Sequence, residues 1–243
     1  TVPECDGKLR AADVEAYLET FYADASYTHM VFPGMVFIAH PSELGTLYSL
    51  AELEELSALC RRYQIPLYLD GARLAYGLAA PDTDVTLADI ARLADAFYIG
   101  GTKCGALCGE AVVFPRGGMP RHFLTHAKQH GALLAKGRLL GVQFDTLFTN
   151  NLYGEVGRVA IAAADELRRI LREAGCTFFR ESPTNQQFVV LENAQVEALA
   201  ERIRFSTWEK LGDGRTVIRL VTSWSTTPDD LAALEAALHE VMQ

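Results

Sequence analysis

A chain of 243 residues, 49% hydrophobic and 22% charged, is long enough to bury a sizeable core in one or two domains. Its net charge of −9 argues against a sequence-nonspecific nucleic-acid binder. No uncharged apolar run approaches the length of a membrane helix, and no secretory pattern opens the chain. The five cysteines are odd in number, and Cys104 and Cys108, the closest pair, lack partners at zinc-site spacing. They read as free thiols in a reducing cytoplasm, with no metal site expected.

In chain order, Val14, Tyr17, Leu18 and Phe21 recur at helical spacing within residues 9–23. Met35 to Ala39 is a continuous apolar run, which predicts a strand covered on both faces. Ser49 and Glu52 form a capping box, and the helix it opens has a core stripe of Leu50, Leu53, Leu56, Leu59 and Cys60. Ile65 to Leu69 is a second buried strand, with Pro66 near its start, where the missing donor does least harm. Thr86 and Asp89 cap a further helix, Ala96 to Ile99 is a third strand and Glu110 to Phe114 a fourth. This alternation predicts a mostly parallel α/β sheet.

Residues 120–141 read as helical and basic, with Arg121, Lys128, Lys136 and Arg138; they form either a solvated face or a source of cations for a phosphate. Residues 143–148 read as an apolar helix face for packing or dimer contact. A joint near Asn150 divides the chain into residues 1–150, a large α/β domain, and residues 151–243, a small α+β domain. The second unit has a long helix at 156–174 closed by Gly175, strands at 187–191 and 216–222, and a last helix capped by Thr227, Pro228 and Asp230.

Chemistry concentrates at two strand ends. The second strand runs into Asp70-Gly71-Ala72-Arg73, and the third into Gly100-Gly101-Thr102-Lys103. The interval from Asp70 to Lys103 accommodates one helix and one strand, so both residues fall at the edge of a parallel sheet where α/β proteins bind ligands. A lysine beside a core strand is expected to lose hydration, which favours the neutral amine that condenses with an aldehyde. The alternative is a snorkelling surface lysine. An amine and a carboxylate together suggest pyridoxal phosphate, whose ring nitrogen must stay protonated for the ring to accept electrons. Asp70 could equally be a helix cap.

These segments, with Gly109-Glu-Ala-Val-Val113 and Val217-Ile-Arg219-Leu-Val-Thr-Ser-Trp224, resemble the low-specificity L-threonine aldolases. Those enzymes belong to the β-eliminating lyase group of pyridoxal-phosphate enzymes with the aspartate aminotransferase (type I) fold. The resemblance implies Lys103 as the Schiff-base lysine and Asp70 as partner of the pyridinium nitrogen. It also puts Arg219 on the substrate carboxylate. Ala72 is small enough to pack under the ring, Arg73 offers its planar fork to the substrate carboxylate or a cofactor oxygen, and Thr102 is either a donor to the phosphate or a plain turn hydroxyl. For Arg73 the alternative is a salt bridge, and for Arg219 a solubilising edge-strand charge.

The expected reaction is cleavage of threonine or allo-threonine to glycine and an aldehyde, in a cytoplasmic homodimer or homotetramer. A histidine is the natural proton acceptor for the β-hydroxyl, and His40, at a strand end, is a candidate to face the site. Nothing in residues 1–34 resembles the family's first segment, with its phosphate-binding turn and ring-stacking histidine. The chain is therefore expected to lack that segment. Other outcomes on the same cofactor (β-elimination, transamination, racemisation) and a catalytically incomplete dimerising module remain open at this level.

Overall fold

Short apolar runs bounded by turn residues become strands here, and capped amphipathic runs become the helices that cover them. The computed structural model describes residues 2–242. Helix α1 (Ala11–Ala23) precedes strand β1 (Val36–Ala39), α2 (Leu50–Tyr63), β2 (Leu67–Gly71), α3 (Leu74–Ala79), α4 (Leu87–Leu93), β3 (Ala96–Gly100) and β4 (Glu110–Val113). The predicted capping boxes form at both α2 and α4: Ser49 and Thr86 each accept from the backbone three residues on, and Glu52 and Asp89 reach back.

These strands make one sheet in the order β1-β2-β3-β4. The first two pairings are parallel and the last antiparallel. No helix separates β3 from β4, so the chain turns straight back and cannot pair in parallel, which needs a crossover. Alternation sends Val36, Ile38, Leu67, Leu69, Phe97 and Ile99 into a core shared with residues of α1 to α4.

The opposite face differs from the expectation for the first strand. Phe37 is 49% exposed and stacks on Tyr68 at 5.6 Å, so within the described residues only one face of β1 is covered. The run is uniformly apolar because aromatic neighbours share its outer face, which composition alone does not distinguish from burial.

Residues 120–141 also depart from a single helical stretch. They divide into α5 (Phe123–Gln129) and the start of α6 (Arg138–Phe148), with Gly131 at φ +72 between them. Arg121, Lys128, Lys136 and Arg138 are all exposed.

Helix α7 (Leu152–Glu173) then spans two cores. Tyr153, Val156, Ala160 and Ile161 belong to the first, while Leu167, Ile170 and Leu171 belong to the second. Gly175 follows at φ +75, the left-handed position that glycine adopts without strain. The second core lies beneath a wholly antiparallel sheet of β5 (Thr177–Arg180), β6 (Gln186–Glu192), β8 (Arg215–Val221) and β7 (Ser206–Lys210), in that spatial order. Helices α8 (Asn193–Ala200) and α9 (Pro228–Val241) complete it, with α9 opened by the predicted Thr227–Asp230 box.

Polar contacts lock the two sheets' surroundings together. Ser182 Oγ donates to the Gly45 carbonyl at 3.0 Å, and Thr222 Oγ1 donates to the Ala160 carbonyl at 2.8 Å.

Candidate active site

Asp70 ends β2 in register with Ala39 on one side and Tyr98 on the other. All three side chains therefore point to the same face. The aspartate Oδ1 accepts from the Ala72 N–H at 2.9 Å, a local turn that fixes the carboxylate as the chain leaves the strand. Tyr98 Oη donates to the same oxygen. Oδ2 receives no hydrogen bond among the described residues and is left to meet a ligand. The Tyr98 phenol itself is raised above its ordinary pKa by burial and by the adjacent Asp70 carboxylate, so it remains a donor.

Close backbone approach brings the two loops together. A Cβ on Gly71 would lie 2.1 Å from the Tyr98 carbonyl oxygen, and one on Gly100 would lie 2.3 Å from that of Ala72. Only glycine fits at either position, and the strand ends therefore pass in direct contact.

Beyond Gly100 the chain closes a tight turn. Gly101 N–H donates to Glu110 Oε2 at 2.6 Å, and the Gly101 carbonyl accepts from Cys104 N–H at 2.8 Å and Ala106 N–H at 3.0 Å. This turn corrects one expectation. Lys103 is exposed, whereas its neighbour Cys104 is fully buried, with Sγ 3.9 Å from the Ala72 carbonyl. The turn rotates successive side chains in and out, and the inward place goes to the thiol. Burial pushes that thiol up to about 11. Thr102 is exposed too, its hydroxyl 3.5 Å from the Gly109 carbonyl.

Arg73 leads into α3 half-buried, and Arg219 comes from β8. Burial, opposed by Glu43 and reinforced by the positive charge of Arg219, lowers Arg73 from its ordinary value. Arg219 donates to Gln186 Oε1 at 3.2 Å and lies 5.5 Å from the centre of the Trp208 ring, and its buried Nε has no partner. Neither guanidinium forms a salt bridge among the described residues. Two cations thus act on one another with no direct salt bridge to either, an arrangement suited to a carboxylate.

His40 takes a different direction. It shares the face of Val36 and Ile38, is fully buried, and accepts from Tyr48 N–H at 3.3 Å through Nδ1. Desolvation, helped by Lys8, lowers it to about 4. It therefore sits neutral in the core on the side away from Asp70, because side chains alternate along β1 and Ala39 takes the outer place.

The arrangement fits pyridoxal phosphate: a free carboxylate oxygen for the ring nitrogen, small Ala72 beside it, a solvent-accessible amine, and two arginines without a salt bridge. Sequence reasoning missed Tyr98, Gln186 and Trp208. Tyr98 was within reach of it, since aligning the two glycine-terminated strands sets it beside Asp70. The partners of Arg219 were not, because they lie on different strands.

A family model described as beta-eliminating lyase matches residues 1–194. The low specificity L-threonine aldolase of Pseudomonas aeruginosa is 27% identical over 216 residues, covering 88% of this chain and 61% of that protein. Its counterpart from Pseudomonas sp. is 28% identical over 218 residues with the same coverage. The chain thus spans about 61% of the length of the curated relatives it matches. A solved Leishmania major threonine aldolase superposes with a TM-score of 0.93 and 41% identity, over 100% of this chain and 70% of that one.

Proposed function

The chain belongs to the β-eliminating lyase family and has the type I fold of pyridoxal-phosphate enzymes, and on that premise we propose that it is a carbon–carbon lyase. Its substrates are β-hydroxy-α-amino acids such as threonine or allo-threonine, released as glycine and an aldehyde. The observation that carries this reading is the occurrence together of a carboxylate with one unused oxygen, at Asp70, and two arginines that form no salt bridge among the described residues. It is supported by the names of the relatives.

Lys103 supplies the amine that fixes the cofactor, and Asp70 faces its ring nitrogen. When bound, pyridoxal phosphate provides an electron sink for the charge left at Cα as the Cα–Cβ bond breaks. Asp70 keeps a proton on the ring nitrogen, and the Tyr98 hydroxyl and Ala72 N–H keep Asp70 oriented. Ala72 leaves room for a flat ring, and Thr102 offers a hydroxyl to the phosphate. Arg73 and Arg219 hold the substrate carboxylate, which places the Cα–Cβ bond relative to the ring.

We also read residues 1–150 and 151–243 as two domains, supported by a second core drawn entirely from the latter, with the first half of α7 packing back onto the first core. Self-association as a dimer or tetramer is supported by the exposed Leu139, Val142 and Phe148 on α6. No helix among the described residues is long and apolar enough to cross a membrane. A reducing cytoplasm is the compartment this reading favours, given five cysteines without a disulfide.

The test is borohydride reduction in the presence of pyridoxal phosphate, followed by peptide mapping, together with product analysis on threonine. Fixation at Lys103 and release of acetaldehyde with glycine support the proposal. Fixation at another lysine, or 2-oxobutanoate and ammonia as the products from threonine, overturns it.

A further inference from the structure

Arg219 is held by a neighbour that carries no charge. Strands β6 and β8 run antiparallel with Phe188 opposite Arg219 and Gln186 opposite Val221. Side chains two apart on a strand share a face, so Gln186 and Arg219 are diagonal neighbours on one face, a separation that long side chains bridge. On the other flank β7 brings Trp208, whose ring lies 5.5 Å from the Arg219 guanidinium and packs edge-on against Phe188 at 5.0 Å.

Gln186 is fully buried, and the two ends of its amide meet different partners. Its Oε1 accepts from Arg219 Nη1 at 3.2 Å, and its Nε2 donates to the Glu43 carbonyl at 3.4 Å. A guanidinium has only donors, so the amide turns its oxygen toward Arg219 and its nitrogen toward an acceptor. Glu43 provides that acceptor from the loop after β1, so the amide reaches from the second sheet to the surroundings of the first. Among the described residues, this neutral oxygen accepts the guanidinium's one hydrogen bond.

The neutrality matters. A carboxylate in the same place would orient the guanidinium but would also neutralise it, and an incoming anion would then have to displace an internal one. An amide directs the donors and leaves the positive charge uncompensated.

We propose that Gln186 is a positioning residue for Arg219: its amide, anchored on the Glu43 carbonyl, aims the guanidinium while leaving its charge available to the substrate carboxylate. The inference rests on the assignment of Arg219 made above.

The experiment uses sulfate as the probe anion and needs no cofactor. Sulfate affinity of the full chain is measured by isothermal titration calorimetry at low ionic strength, where exposed charges are least screened. Melting temperatures without sulfate are recorded alongside. Arg219→Ala is expected to weaken binding about tenfold or more. Gln186→Met, which matches the length of the side chain and removes both polar ends, should weaken it roughly fivefold, because the guanidinium loses its hydrogen-bonded orientation. Gln186→Glu keeps an oxygen on Arg219 and adds a charge; it should weaken binding about tenfold or more, and it covers the case in which Gln186→Met does not fold.

A structural role alone would lower the melting temperatures of the Gln186 variants and leave their sulfate affinity at the wild-type value. That outcome, with Arg219→Ala impaired, overturns the role of Gln186 and spares Arg219. Wild-type affinity in Arg219→Ala would instead sink the assignment of Arg219, and the role of Gln186 with it.

Discussion

Arg73 and Arg219 share one electrostatic neighbourhood although they come from opposite halves of the chain: the positive charge of Arg219 depresses Arg73, adding to the effect of burial. Like charges at a half-buried place cost free energy that an added anion offsets, here over and above the opposing charge of Glu43.

Removing one member should weaken the binding of such an anion. Arg219→Ala is expected to raise KM for threonine by roughly 10- to 100-fold with a smaller effect on kcat, the loss of one charge-assisted bidentate contact. Arg219→Lys should recover little, because an ammonium lacks the planar fork. Sulfate should raise the melting temperature of the wild type more than that of Arg219→Ala, by binding the folded state preferentially. Equal shifts in both proteins would mean the anion binds elsewhere.

Asp70→Asn keeps an oxygen for the Ala72 N–H and Tyr98 Oη but cannot hold a proton on a pyridine nitrogen. Folding and cofactor fixation should survive, and kcat should fall on the order of 100-fold, since the lost effect is electrostatic. Steady-state kinetics with threonine decides the matter. A variant of near wild-type kcat would remove Asp70 from the site.

His40 makes stability depend on pH. It is neutral and buried, with its pKa lowered from 6.5 to about 4. Above pH 6.5 its contribution is fully present. As pH falls from 6.5 toward 4, the unfolded chain takes up a proton that the folded chain refuses, and stability declines by at most about 3 kcal/mol from this residue. Denaturant titrations across this range should show a shallower decline for His40→Gln than for the wild type.

The glycines at the strand ends should tolerate no side chain. Gly71→Ala and Gly100→Ala each drive a Cβ into a carbonyl oxygen, at 2.1 and 2.3 Å. Either is expected to cost about 3 kcal/mol or more in denaturant unfolding, because backbone rather than a flexible side chain must move. Gly117→Ala, with nothing near its Cβ, should cost only the strain of its φ of +66.

Thiol titration checks the burial pattern. Cys5 and Cys108 are exposed, whereas Cys60, Cys104 and Cys176 are buried, with their thiols pushed up to about 11 by desolvation. Two of the five should react with Ellman's reagent in the native protein, and the other three only on unfolding.

What the sequence determined by itself was local. Ser49, Thr86 and Thr227 began helices because their hydroxyls satisfy orphan N–H groups within three residues. Asp70 and Lys103 fell at one sheet edge because two glycine-terminated strands were separated by a crossover. Those are relations of chain distance, and they are written in the order of residues.

Tertiary structure decided what each side chain faces. It turned Cys104 inward and Lys103 outward, sent His40 into the core, set Tyr98 against Asp70, and let the charge of Arg219 act on Arg73. Each of these depends on how a turn is wound or on which strand becomes a neighbour. Alternation gives a strand two faces, and only packing says which of them is covered.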